Sequence, residues 1–199
     1  MTTSSPLLRA FDPIADKHAH TLILGSMPGE ASLQAGQYYA HSRNLFWPIV
    51  AEVMGFSADL RAELHELRKQ KPSSKKMPEA LYAKCCAALQ ASGCALWDVL
   101  ATCERTGSLD AAIRNGQPND FPAFFAQHPR ITRVFFNGGK AEGEFRRKVM
   151  PELARLGIAP RLALHRLPST SPAYAAMNRA DKIDCWCKAW KGKGETPAC

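Results

Sequence analysis

The chain has 199 residues, of which 46% are hydrophobic and 22% are charged, a balance that excludes disordered, collagenous and coiled-coil chains. No apolar run reaches the roughly 18 residues of a membrane span, and the first residues lack the pattern of an export signal, so we expect a cytoplasmic protein. The seven cysteines are an odd number for a disulfide framework, and the net charge of +8 favours a polyanionic partner such as nucleic acid.

Four short, almost continuously apolar runs are predicted as buried parallel strands. They cover residues 21–25, 94–100, 134–137 and 161–167. Helical patterns lie between these runs, and this alternation predicts an α/β fold with helices on both faces of a parallel sheet. In such sheets the ligand site lies at the carboxyl ends of the strands, which places the turn-forming residues 26–29 (SMPG) at the expected site.

Apolar residues with helical spacing predict helices over residues 45–54, 60–67, 145–156 and 173–190. The second ends before Pro72, and Pro151 is expected to kink the third. Residues 71–78 are predicted as a basic loop between helices. We expect one domain over residues 1–199, with loose ends at about 1–10 and 192–199.

A dense cluster of aromatic, basic and amide side chains occupies residues 37–47 (QYYAHSRNLFW). A helix that only builds the core needs Leu45, Phe46 and Ile49, but not the polar and aromatic run before them. Aromatic faces for stacking and an amide for hydrogen bonding are what a nucleobase pocket requires. By itself, the Pro-Gly turn at residues 28–29 is also typical of an ordinary strand exit, and it fits neither a P-loop nor the dinucleotide fingerprint.

A third polar segment, residues 167–173 (LPSTSPA), leaves the last predicted strand and enters the last predicted helix. Hydroxyl groups and free backbone N–H groups at a helix N-terminus form an anion site that suits a DNA phosphate. An ordinary Ser/Thr helix cap is an equally good interpretation of this segment alone.

Together, residues 25–29 (GSMPG), 38–47 (YYAHSRNLFW) and 167–173 resemble the motifs of the uracil-DNA glycosylase superfamily, and most closely those of its hypoxanthine-DNA glycosylase branch. The resemblance extends from about residue 20 to residue 190. It implies a three-layer α/β/α sandwich around a four-stranded parallel sheet. It also implies an enzyme that flips a deaminated base out of double-stranded DNA and hydrolyses its N-glycosidic bond without cutting the strand. The expected base is hypoxanthine, and we expect the enzyme to be a monomer. No metal or organic cofactor is implied, and the protein would meet its substrate at the nucleoid.

The resemblance also implies site residues. It makes Asn44 the catalytic residue, which holds the attacking water or the base. The implied base pocket contains Gly25, Ser26, Met27, Pro28, Gly29, Tyr39, Phe46, Asp98 and Asn137. A capping role is an equal alternative for Asp98 and Asn137, which end two predicted strands. The expected contacts with the DNA backbone come from Ser169, Thr170, Ser171, Ala173, Tyr174, Lys75, Lys76 and Lys140.

Two departures from the family pattern concern catalysis. Uracil-cleaving relatives carry Asp or Asn where this chain has Met27, and some carry His where it has Leu167. Both differences argue against strong uracil activity and leave Asn44 as the expected catalytic group. A mismatch-specific uracil or thymine glycosylase and a non-catalytic domain that binds damaged DNA stay open as alternatives.

Overall fold

The computed structural model describes residues 7–69 and 76–192, in which seven strands form two sheets. The strands are β1 (Leu7–Arg9), β2 (Thr21–Gly25), β3 (Cys94–Asp98), β4 (Leu100–Glu104), β5 (Arg114–Pro118), β6 (Arg133–Asn137) and β7 (Ala163–Leu167). A four-stranded parallel sheet has the order β3-β2-β6-β7, and an antiparallel sheet has the order β1-β4-β5. The four-stranded parallel sheet confirms the predicted fold class.

Eight α-helices accompany the strands in the described residues. They are α1 (Glu30–Ala35), α2 (Phe46–Val53), α3 (Ala58–Lys69), α4 (Glu79–Ala91), α5 (Phe121–Gln127), α6 (Gly139–Lys148), α7 (Met150–Arg155) and α8 (Arg179–Trp190). Alternate residues of β2 point to opposite faces of the sheet. Leu22 and Leu24 join a core formed with α5, α6 and α7, whereas Ile23 joins a core formed with α2, α3, α4 and α8. The two cores make the helix–sheet–helix sandwich.

Two helix predictions needed correction. The predicted helix over residues 145–156 lies within two helices, α6 and α7, because Pro151 in the first turn of α7 cannot continue the hydrogen-bond ladder of α6. The predicted start of the last helix at residue 173 is wrong. Helix α8 begins at Arg179, after the N-cap Asn178, whose side chain accepts a hydrogen bond from the Asp181 N–H. No helix of the described residues is long and apolar enough to cross a bilayer.

The predicted strand over residues 94–100 is also divided. The N–H of Val99 bonds to Gly25 O at 2.9 Å, and the chain then leaves the parallel sheet and enters β4 of the antiparallel sheet, which the sequence pattern did not predict. Strand β1 pairs with β4, so the expectation of a loose end is wrong for residues 7–9. Residues 1–6 and 193–199 and Lys75 lie outside the described residues.

Candidate active site

A cavity of about 350 Å³ opens where β2, β3 and β6 end, at the carboxyl edge of the parallel sheet. This is the place expected for the ligand site of an α/β sheet, and the volume lies in the range of small-molecule sites. Fourteen of the predicted site residues line it: Gly25, Ser26, Met27, Pro28, Gly29, Tyr39, Asn44, Asp98, Asn137, Lys140, Ser169, Ser171, Ala173 and Tyr174. The three sequence motifs therefore meet around one cavity.

Three of the predicted site residues lie outside this lining. Phe46 is fully buried behind Tyr39, and Thr170 is fully buried beneath the loop that follows β7. Burial leaves neither side chain able to touch a base or a phosphate directly, so their assignment as contact residues is wrong and both are supports. Lys76 lies 3.6 Å from the Glu79 carboxylate and does not line the cavity.

Tyr39 presents an aromatic ring to the cavity. Its ring stacks on Phe46 with centroids 3.9 Å apart and an interplanar angle of 18°, so one face is covered. Its backbone has a φ of 55°, a strained conformation for tyrosine. Neighbouring groups fix the backbone just before it, because the Tyr38 N–H donates to Tyr82 Oη and the Trp47 indole donates to the Tyr38 carbonyl, both at 2.9 Å. These hydrogen bonds and the stacking on Phe46 hold the Tyr39 ring at the cavity.

Asp98 lies at the floor of the cavity, beside Gly25 on the neighbouring strand. Gly25 makes room for it, since a Cβ atom there would overlap Asp98 Oδ1 and lie 2.8 Å from Tyr39 Oη. The Asp98 side chain is 3% exposed, and neither its Oδ2 nor Tyr39 Oη has a hydrogen-bond partner. Burial, reinforced by the charge of Asp110 and opposed by that of Arg105, raises the pKa of the Asp98 carboxyl to about 8. Most of this carboxyl is therefore protonated at neutral pH.

The Asn44 side chain is held in one orientation. Its Oδ1 accepts a hydrogen bond from the Phe46 N–H at 2.9 Å, and its carbonyl accepts one from Arg68 Nη1 at 3.2 Å. The Asn44 N–H donates to the His41 carbonyl at 2.7 Å. Because Oδ1 is occupied by a backbone donor, the amide Nδ2 is the group of Asn44 that remains to donate to a ligand.

Thr170 joins two of the motifs from beneath the cavity. Its N–H donates to Asn137 Oδ1 at 2.8 Å, its Oγ1 accepts from Asn137 Nδ2 at 2.9 Å, and its carbonyl accepts from the Leu45 N–H at 3.0 Å. Both ends of the Asn137 amide are used in this way. Asn137 therefore fixes the loop after β7 against the end of β6, which is the capping alternative that the sequence left open.

We expect Thr170→Val to destabilise the protein by about 1 kcal/mol, because valine removes the acceptor of the partly buried Asn137 Nδ2. Thr170→Ser keeps the hydroxyl and is the matched control, with a smaller loss expected. Urea unfolding of the three proteins measures the difference. Equal stability of Thr170→Val and the wild type would show that this contact does not hold the loop.

Several backbone N–H groups that the sequence predicted as free donors of an anion site at residues 167–173 bond within this part of the chain instead. Ser169 Oγ accepts from the Ser171 N–H and Ser171 Oγ accepts from the Ala173 N–H, each at 3.2 Å, and the Tyr174 N–H donates to the Ser171 carbonyl. These local turns use the N–H groups of Ser171, Ala173 and Tyr174, and α8 begins only at Arg179. The hydroxyl O–H groups of Ser169 and Ser171 remain as donors at the cavity.

The segment between β4 and β5 contributes residues that were not among the predicted site residues. The Ser26 hydroxyl donates to Asp110 Oδ1 at 2.7 Å, and the Glu30 N–H donates to Ser108 Oγ at 3.0 Å. The buried Arg105 side chain donates hydrogen bonds to the carbonyls of Gly107 and Pro28, and so joins this segment to the loop after β2. Ser108, Leu109 and Asp110 line the cavity. With Gly107 they form the stretch GSLD, which resembles the family's sequences but was not predicted to belong to the site.

Lys140 is the lysine of the described residues that lines the cavity. Its Nζ lies 2.9 Å from Glu144 Oε1, and Arg147 contacts the same carboxylate oxygen. The carboxylate partly neutralises the charge that Lys140 offers to a phosphate. No group of three or more His, Cys, Asp or Glu side chains within residues 7–69 and 76–192 is placed to hold a metal ion.

Comparisons with known proteins agree with this geometry. A family model described as the uracil DNA glycosylase superfamily matches residues 12–192. Two proteins called hypoxanthine DNA glycosylase are similar to this chain. The protein from Methanosarcina barkeri is 29% identical, and the match covers 92% of this chain and 98% of the relative. The protein from Methanosarcina acetivorans is 30% identical, and the match covers 83% of this chain and 87% of the relative. A candidate uracil DNA glycosylase from M. acetivorans, solved by solution NMR, superposes with a TM-score of 0.68 at 28% identity, covering 94% of this chain and 99% of that one. The chain therefore belongs to the uracil DNA glycosylase superfamily.

Proposed function

We propose that this protein is a DNA glycosylase that flips hypoxanthine out of double-stranded DNA and hydrolyses the N-glycosidic bond of the deoxyinosine. The observation that carries the proposal is the cavity in which the Tyr39 ring, the Asn44 amide and the strand ends meet. A flipped base needs stacking and hydrogen bonds to its edges, and the ring and the amide supply both. The names of the two relatives from Methanosarcina support hypoxanthine as the base.

The chemistry requires stabilisation of charge on two groups. Cleavage passes through a transition state with oxocarbenium character on the sugar, while negative charge develops on the departing base. Asn44 Nδ2 would donate to the base or to the attacking water, in an orientation fixed by the hydrogen bond from the Phe46 N–H. An amide orients water without deprotonating it strongly. Hypoxanthine pairs weakly, which lowers the cost of flipping it.

The rim of the cavity would hold the DNA backbone. The free O–H groups of Ser169 and Ser171 are neutral donors for phosphate oxygens, and Lys140 adds a partly neutralised charge. The net charge of +8 supports a sequence-independent attraction to DNA. We propose that the protein works as a monomer on DNA in the cytoplasm.

The proposed reaction leaves the DNA strand intact. Strand cleavage by a glycosylase needs an amine nucleophile, such as a lysine that forms a Schiff base. The lysine that lines the cavity, Lys140, is ion-paired with Glu144 instead. We therefore propose that the product is an abasic site in an uncut strand.

A side-by-side assay on duplexes that contain deoxyinosine, deoxyuridine or ethenoadenine tests the proposal. We expect release of hypoxanthine and strand breaks that appear only after alkali. Preferential release of uracil would favour the mismatch-specific alternative. Met27, which replaces the usual acidic or amide residue, favours a non-catalytic DNA-binding domain, and binding that falls steeply with salt without release of any base would establish that alternative.

A further inference from the structure

We propose that Asp98 acts as a general acid, which donates its proton to a ring nitrogen of the departing purine. This inference rests on the proposed function and adds a second catalytic residue to Asn44. It also explains how a site with Met27 in the first motif can expel a purine.

Asp98 lies where its carboxyl group could bond to a ligand in the cavity. Its side chain is 3% exposed but lines the cavity, and its Oδ2 makes no hydrogen bond. A buried polar atom without a partner is costly and needs an explanation, of which a catalytic role is one. Gly25 is the residue type that leaves space for this carboxyl between the strand ends, because any Cβ there would overlap Oδ1. The absence of a side chain at Gly25 is therefore what allows the Asp98 carboxyl to occupy this position.

The surroundings keep the proton on Asp98. Burial has the largest effect on its pKa, which lies at about 8. Asp110, from the segment after β4, adds a negative charge that raises the pKa further, and Arg105, at the end of β4, lowers it. Tyr38 and Tyr39 face the carboxyl from the segment before α2, and burial followed by the Asp98 charge raises the pKa of each phenol, so both stay neutral. Asp98 can therefore supply a proton at neutral pH.

The step balances in atoms and charge. The bond between the sugar C1′ and the base nitrogen breaks, and its electron pair stays with the base. The Asp98 O–H proton passes to a nitrogen of the imidazole part of the purine, which leaves as neutral hypoxanthine. Water adds its oxygen to C1′ and gives up one proton, which restores the Asp98 carboxyl. A pyrimidine has no imidazole nitrogen, so this acid favours purine substrates.

Single-turnover rates on a deoxyinosine duplex across pH 6–9 test the inference with Asp98→Asn, a change that keeps the size of the side chain. We expect the variant to be about 100-fold slower, with unchanged affinity for the duplex. The wild-type rate should fall as the pH rises through about 8, where Asp98 loses its proton, and the variant should lose that limb. Hypoxanthine itself also ionises in alkali, so the difference between the two profiles is the readout.

A second variant changes the acid without removing it. Asp110→Asn keeps an oxygen for the Ser26 hydroxyl but removes the charge that raises the Asp98 pKa. We expect the alkaline limb to move to lower pH. Glu152→Gln, on α7 and outside the cavity lining, removes the same charge and should leave the profile unchanged.

Three outcomes are decisive. An Asp98→Asn rate equal to that of the wild type, or an unmoved limb in Asp110→Asn, overturns the acid role and leaves the proposed function in place. A wild type that releases no hypoxanthine overturns both proposals, because the acid then has no leaving group to protonate. A slower Asp98→Asn without the limb, together with the shifted limb in Asp110→Asn, supports the assignment.

Discussion

Substitution of Asn44 by alanine is expected to slow the release of hypoxanthine by roughly 100-fold to 1,000-fold, which is the usual cost of removing one preorganised hydrogen-bond donor from an active site. The physical reason is the fixed orientation of the side chain. The Phe46 N–H occupies Oδ1, so Nδ2 is the group of Asn44 left to donate to the base or to water. Single-turnover kinetics on a deoxyinosine duplex measure the loss.

Asn44→Asp separates the donor from the helix contact. Aspartate still accepts the hydrogen bond from the Phe46 N–H but cannot donate to a ligand. We expect it to be nearly as slow as Asn44→Ala while retaining more of the stability. Gly143→Ala, at an exposed helical position with no atom within 4 Å of the added Cβ, is the activity control and should match the wild type. Full activity of Asn44→Asp would show that the amide donor is not used.

Gly25→Ala is expected to reduce both the stability and the activity of the protein. The added Cβ would overlap Asp98 Oδ1 and press on Tyr39 Oη at 2.8 Å. Moving either side chain is costly, because Asp98 is buried and Tyr39 is stacked on Phe46. We expect a loss of about 2 kcal/mol in the free energy of unfolding from overpacking. A catalytic loss of about 100-fold should accompany it, because small displacements of catalytic groups are costly.

The matched control for stability is Gly29→Ala, the same change at the end of the same loop. A Cβ at Gly29 would meet Ser108 Oγ at an ordinary 3.7 Å, so we expect a smaller loss, within about 1 kcal/mol for a helix N-cap. Urea unfolding of the two variants measures the difference between their free energies of unfolding. Equal stabilities would mean that the floor of the cavity is not tightly packed.

The parallel sheet and the three motifs could be predicted from sequence because both depend on local patterns. Apolar runs such as Thr21–Gly25 identify buried strands, and the carboxyl ends of parallel strands must share one edge. That geometry places Gly25 at the site, whereas the positions of Tyr39 and Asn44 beside it were implied by the resemblance of residues 38–47 to the family's motif. The antiparallel sheet was missed because β4 follows β3 after one residue, so the two strands form a single apolar run.

The division between contact residues and supports could not be predicted. Thr170 and Ser171 are neighbours of similar chemistry, yet one is fully buried beneath the loop and the other lines the cavity. The difference depends on the hydrogen bonds between Thr170 and Asn137, which are 33 residues apart. The unusual pKa of Asp98 likewise arises from burial by distant segments, and no local pattern encodes it.

The central claim is that a flipped base enters the cavity between Tyr39 and Asn44. A crystal structure of Asn44→Ala bound to a duplex with one deoxyinosine tests it most directly, because the slowed variant should keep its substrate intact. We predict hypoxanthine in the cavity, with its face against the Tyr39 ring and its imidazole edge toward Asp98. An inosine that remains stacked in the duplex, or a base bound elsewhere on the protein, would contradict the claim.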